Sequence, residues 1–255
     1  MKIIICGKGG SGKSTLAALI AVSLKHRGYS VLLVDADESN LGLHRRMGIS
    51  HPESLLANFG GKKGYREKVS SAFPPGAGVA PFDKKIRISE IPEACVARAN
   101  GIRLLVIGKI HHFGEGCACP MGAISRMILS QLVIEKNEIV LIDTAAGVEH
   151  FGRRIDAEGD LILGVVDPTF ESFVLAERMQ NLALEAETEI RFVLNKVDEQ
   201  VEAAMMKNID SETVIARIPH STEIVMDSLE GRELTAGIPE TDSICQWIEN
   251  FKKVT

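Results

Sequence analysis

The chain is predicted to be α/β, a doubly wound and mostly parallel sheet with helices on both faces. Three observations predict this: short Ile/Val/Leu runs without in/out alternation, helix-spaced segments between them, and a glycine-rich loop joining the first run to the first helical segment. Near-continuous apolar runs suit strands buried on both faces, and a β–α alternation builds a parallel sheet. In chain order the strands are expected at 2–6 (KIIIC), 30–36, 102–108, 138–143, 160–166, 189–195 and 212–219. Helical spacing places helices at 13–27, 121–136, 170–187, 221–230 and 240–252. Residues 48–101, with GGKKGYREK and PPGAG, break the rhythm and are expected as an irregular excursion of short helices and loops, inside one domain spanning 1–255. Ligands of such a sheet gather at the carboxyl ends of its strands.

Composition narrows the function. With 29 Lys plus Arg against 34 Asp plus Glu the net charge is −5, so no basic field points to nucleic acid. The opening MKIIICGKGG runs into glycine after one short apolar run, unlike a signal peptide or a membrane span. Five cysteines without an export signal read as reduced thiols of a cytoplasmic protein.

GKGGSGKST, Gly7 to Thr15, satisfies the phosphate-loop spacing through Gly7, Gly12, Lys13 and Ser14. The backbone of Gly9, Gly10, Ser11, Gly12 and Thr15 can converge N–H groups on phosphate oxygens at the start of a helix. Lys13 would neutralise the β and γ oxygens, and the Ser14 hydroxyl would ligate Mg²⁺. Lys8, after the first glycine, resembles the second lysine of the deviant Walker A ATPases, the group of MinD, ParA and the nitrogenase iron protein. That resemblance implies a homodimer bridged by ATP, with Lys8 reaching the partner's phosphates.

Two further segments carry carboxylates. LLVDADESNLG ends the second strand with Asp35 and Asp37, which an extended chain points to one face. The resemblance assigns Asp37 to the attacking water and Asp35 to the magnesium shell. IVLIDTAAGVEHFGRR ends its strand at Asp143, a magnesium residue, and its Thr144–Gly147 turn could sense the γ-phosphate. For the base, LNKVD spells the guanine signature, whereas the relatives would place Asn195 and the Ile218–Pro219 loop against adenine. ATP is favoured; Asp198 keeps GTP open, and it also fits a helix N-cap.

EGCACPMG places Cys117 and Cys119 one residue apart. Two sulfurs leave a zinc, nickel or copper site incomplete, and a disulfide across one residue is strained. A two-fold dimer supplies the same pair twice, giving four thiolates. Pro120 is expected to start the next helix, whose N-terminus favours thiolate. Cys6, Cys95 and Cys245 are expected in packing, and His111 and His112 are left without a ligand role. GEGCACP, DTAAGVEHFGRR and GGKKGYREK together resemble the CooC-type ATPases, maturation factors for carbon monoxide dehydrogenase. The resemblance implies a metallochaperone holding nickel, or zinc, at the dimer interface for a nickel-dependent carbon monoxide dehydrogenase client. Two alternatives stay open. One is an iron–sulfur reductase like the nitrogenase iron protein. The other is a positioning ATPase of the MinD/ParA kind, whose membrane helix the tail ICQWIENFKKVT could mimic, although docking on the domain's own surface fits so short an element better.

Overall fold

A computed structural model describes residues 1–72, 85–110, 119–148, 158–234 and 237–254. The expected strands are present as β1 (Lys2–Gly7), β2 (Ser30–Ala36), β5 (Ile102–Val106), β7 (Glu138–Thr144), β8 (Leu161–Val166), β9 (Glu189–Val197) and β10 (Val214–Pro219). They form an eight-stranded sheet ordered β10-β9-β8-β1-β7-β2-β5-β4, parallel except at one edge. That edge strand, β4 (Val96–Ala99), runs antiparallel to β5 and corrects the expectation of only short helices and loops over 48–101. Its turn is Asn100–Gly101, both with positive φ, the two-residue hairpin connection that matches strand twist.

Each central strand is covered on both sides. Ile3 and Ile5 of β1 face a layer with Leu16, Ile20 and Leu24 of helix α1 (Lys13–His26) and Ile244 and Ile248 of the C-terminal helix α9 (Pro239–Val254). Ile4 and Cys6 face the opposite layer, with Ile124 and Ile128 of α5 (Cys119–Gln131) and Met179 and Ala183 of α6 (Phe170–Glu185). The period-2 alternation of strand side chains thus feeds two cores from one run. The tail stripe is spent inward: Ile244 and Ile248 are fully buried, and Trp247 and Phe251 pack against the same cluster.

Several boundaries move for local reasons. Helix α5 starts at Cys119, not Met121, and stops at Gln131, because the β-branched stretch after Leu132 leaves the helix to pair Leu132–Val133 (β6) with Ile86–Arg87 (β3). Strand β10 starts at Val214 since Asp210 caps a 3₁₀ turn over Ser211–Thr213. Strand β5 ends at Val106 instead of Gly108. Short helices α2 (Leu43–Arg46), α3 (Leu55–Asn58), α4 (Gly61–Ala72) and α7 (Glu199–Met205) fill the connections, and α8 (Thr222–Glu230) is capped by Ser221.

Candidate nucleotide site

The strands β1, β2, β7, β8 and β9 all end at one edge of the sheet, and every residue of the expected phosphate site that the structure describes lies there. Gly7 ends β1 and approaches Val165 so closely that a Cβ would sit 2.4 Å from its carbonyl oxygen. Gly12 caps α1 with φ 102°, and a Cβ there would stand 2.2 Å from Asn195 Nδ2. Both positions need glycine, one for close approach and one for its left-handed backbone as well. The loop between them is tied down: Ser11 N donates to the Lys8 carbonyl at 3.1 Å, and Lys13 Nζ donates to the same oxygen at 3.1 Å. From β9, Asn195 Nδ2 donates to the Ser11 carbonyl at 2.7 Å and Lys196 Nζ to that of Gly10 at 2.6 Å.

A cleft of about 500 Å³ opens over this loop. Its phosphate end is lined by Gly9, Gly10, Gly12, Lys13, Ser14 and Thr15, with Asp37 and Ala146 alongside. Asn195, Ile218 and Pro219 line the other end, together with Arg46 and the α8 residues Ile224 and Ser228. Asp198 does not line it. Its carboxylate accepts from the N–H groups of Gln200 and Val201 as the N-cap of α7, so the cap reading holds in the structure.

The carboxylates converge because β2 and β7 pair in parallel with Asp35 opposite Asp143. Both are buried, at 3% and 0% exposure. Burial, then repulsion from Asp35, lifts Asp143 to about 7, against the Ser14 hydrogen bond and the Lys13 charge. Burial also raises Asp35, to about 6, although Lys109 pulls it back. Asn40 joins the expected magnesium residues, its Nδ2 donating to Ser14 Oγ at 2.8 Å and to Asp143 Oδ2 at 3.3 Å. Asp143 Oδ1 is buried with no hydrogen-bond partner among the described residues. A buried carboxylate oxygen without a donor is costly unless a cation completes it, so Ser14 and Asp143 fit a hard divalent ion.

Asp35, expected in the magnesium shell, is paired with Lys109 at 2.7 Å. Asp37 is the first residue after β2, with Oδ1 accepting from Ser39 N at 2.9 Å and Ser39 Oγ at 2.6 Å. Lys8 leans across to the β8–α6 loop, donating to Thr169 Oγ1 at 3.0 Å and standing 3.9 Å from Asp167. Although burial works against it, the hydroxyls of Ser172 and Thr169, with Lys8, hold Asp167 below the usual carboxylate value. The second acidic strand connects to the phosphate loop as well: Gly147 N donates to the Gly7 carbonyl at 3.1 Å. Sequence reasoning missed Asn40, Lys109, Arg46 and Lys196. Asn40 lies inside LLVDADESNLG and Lys196 inside LNKVD, whereas Lys109 lies in neither.

Cys119 is exposed at the first residue of α5. Cys117, His111, His112 and the rest of 111–118 lie outside the described residues, as do 149–157 of the second acidic segment. The expected four-thiolate arrangement therefore has one described sulfur per chain. Cys6, Cys95 and Cys245 are buried as expected, and burial raises the Cys95 and Cys245 thiols to about 11.

Comparison with known proteins gives a consistent grouping. The model of the CobQ/CobB/MinD/ParA nucleotide binding domain matches residues 2–254. An ATP-binding protein of Methanocaldococcus jannaschii is 39% identical over 96% of this chain and 98% of its own length. The carbon monoxide dehydrogenase accessory protein CooC of Rhodospirillum rubrum is 33% identical over 88% of this chain and 85% of its own. Among solved structures, the septum site-determining protein MinD from Pyrococcus horikoshii, complexed with Mg-ADP, superposes with a TM-score of 0.71 at 17% identity, covering 99% of this chain and 97% of that one.

Proposed function

The chain belongs to the CobQ/CobB/MinD/ParA family of nucleotide-binding domains, and from that premise we propose that it is a cytoplasmic, homodimeric ATPase of the CooC type. In this reading it holds nickel, or zinc, between the Cys117-x-Cys119 pairs of two subunits and delivers it to a nickel-dependent carbon monoxide dehydrogenase. The observation that carries the reading is the placing of Cys119. It is exposed at the start of α5, on the crossover that leaves the sheet between β5 and β7. The segment leading into that crossover is bonded to the Asp35–Glu38 stretch beside the nucleotide cleft.

The residues divide the chemistry as follows. The loop from Gly9 to Thr15 cradles the phosphates, and Lys13 neutralises their β and γ oxygens. Ser14 and Asp143 would hold magnesium, with Asp35 behind them, and the bound ion would supply neutralisation of phosphate charge. Asp37 orients the attacking water, with one carboxylate oxygen fixed by Ser39. Lys8 exchanges its Thr169 and Asp167 contacts for the partner's phosphates, so that ATP tightens the dimer and brings the thiols together. Asn195 and Pro219 border the base, and ATP is preferred because the Asp198 carboxylate is engaged in capping α7.

Elemental analysis and light scattering test this together. Reduced protein should bind one metal ion per two chains, and the Cys117→Ala/Cys119→Ala double variant should lose that metal while keeping nucleotide binding. Equal metal retention by the variant, or full loading of a strictly monomeric chain, overturns the reading.

A further inference from the structure

Lys109 was singled out by no motif, yet its side chain is 1% exposed and faces two functional residues at once. Its Nζ lies 2.7 Å from Asp35 Oδ2 and 2.6 Å from the Asp37 carbonyl oxygen. A buried ammonium costs several kcal/mol of desolvation unless it is paired with good geometry, so this one is tolerated through these contacts. The main chain reinforces it. Beyond the last residue of β5, Ile107 N donates to the Asp35 carbonyl at 3.0 Å and Ile110 N to that of Glu38 at 3.2 Å. Residues 35–38 are thus strapped to 107–110 at three points, with the lysine between the two backbone bonds.

The consequence falls on Asp37. Its N–H donates to Asp35 Oδ1 at 3.3 Å, and its carbonyl accepts from Lys109 and, at 3.4 Å, from Asn40 N. One lysine therefore fixes both neighbours of the Asp37 Cα: directly at the carbonyl, and through Asp35 at the amide. β2 has already ended at Ala36, so no strand partner holds this residue. We propose that Lys109 is a positioning residue for nucleotide hydrolysis, clamping the Asp35–Asp37 backbone so that the Asp37 carboxylate keeps its direction into the cleft. This rests on the assignment of Asp37 to the attacking water.

The test uses the full-length protein with Lys109→Met, which keeps the stem and removes the ammonium, Lys109→Arg, and the pair Asp35→Asn/Lys109→Met, which removes both charges of this ion pair together. Steady-state ATP hydrolysis, Mg–ADP titration, melting and hydrogen exchange over residues 35–40 are measured for each, with Asp37→Asn as control. A misplaced catalytic group costs up to ~100-fold, so kcat of K109M should fall by ~10–100-fold while Mg–ADP affinity stays within about threefold. K109R should recover part of kcat, and the neutral pair should regain melting temperature without regaining kcat. Faster exchange over 35–40 should accompany the loss. A folded K109M or neutral pair with wild-type kcat overturns the proposal, as does a parallel loss of kcat and nucleotide affinity. Wild-type hydrolysis by D37N would instead remove the Asp37 assignment itself.

Discussion

Replacing Asp143 by asparagine should stabilise the ligand-free protein while removing magnesium-dependent nucleotide binding. Asp143 is fully buried, one oxygen has no partner among the described residues, and its pKa is raised from 3.8 to about 7. The folded chain therefore holds more protons than the unfolded one between those values, and stability falls as pH rises from about 4 to about 7, levelling off above. At ~1.4 kcal/mol per pH unit the ionised group costs ~4 kcal/mol; neutralising Asp143 removes this together with the repulsion from Asp35, and since the buried amide keeps a smaller desolvation cost of its own, ~3 kcal/mol should return at about pH 8. For a chain of this size that is a rise of roughly 6–12 °C in melting temperature. The gain should shrink to less than about half near pH 5, where folded wild-type protein already carries the proton. Melting curves in chelator at both pH values, and ADP titrations with and without magnesium, provide the check. Other titrating groups cancel in the wild-type-minus-variant difference. An equal melting temperature for the two proteins at the higher pH, or a gain that grows on acidification, would refute the burial argument.

Gly12→Ala should push Asn195 off the Ser11 carbonyl, since the new Cβ would stand 2.2 Å from its Nδ2 at a φ of 102°. A stability loss of ~1–3 kcal/mol and a fall of at least tenfold in nucleotide affinity are expected, read by melting and calorimetric titration; unchanged affinity would show that the loop does not cradle the ligand. Asp198→Ala removes the α7 cap and should cost ~1 kcal/mol while leaving the preference for ATP over GTP as it was. A collapse of that preference in competition binding would return Asp198 to the base.

Legibility in the sequence followed the range of the interaction. The phosphate loop was readable because its signal is local: glycines, lysine and hydroxyl within nine residues, bounded by a strand and a helix. The parallel sheet was readable because burial on both faces writes itself as unbroken Ile/Val/Leu. Strand β4 was missed although Asn100–Gly101 announces a hairpin, since VARA offers only one strongly apolar residue in four. The 132–136 stretch reads as helix because its apolar content resembles the preceding turns, but the Val133–Ile134 β-branching is the stronger signal. Lys109 could not be read at all. Its pairing with Asp35 spans the β2–β5 register, and nothing within ten residues of either marks the other.

That register also explains why two acidic residues expected in one role are treated differently. Asp35 and Asp143 face one another across neighbouring parallel strands, both desolvated, so two ionised carboxylates there require two positive charges. One is built into the chain: Lys109 reaches Asp35 from the β5 exit and uses the same ammonium to hold Asp37. The other is not. Lys13 Nζ bonds the Lys8 carbonyl and acts on Asp143 through its charge alone, while the hydrogen bonds that reach Asp143 among the described residues come from neutral groups, the Asn40 amide and the Ser14 hydroxyl. Placing the resident charge on Asp35 leaves Asp143, next to the Ser14 hydroxyl, as the carboxylate whose charge, on the proposed function, would be met by an ion arriving with the nucleotide. In the proposed function Asp35 would then support magnesium indirectly: by occupying Lys109 it helps set Asp37, and by repulsion it raises the cost of an ionised Asp143.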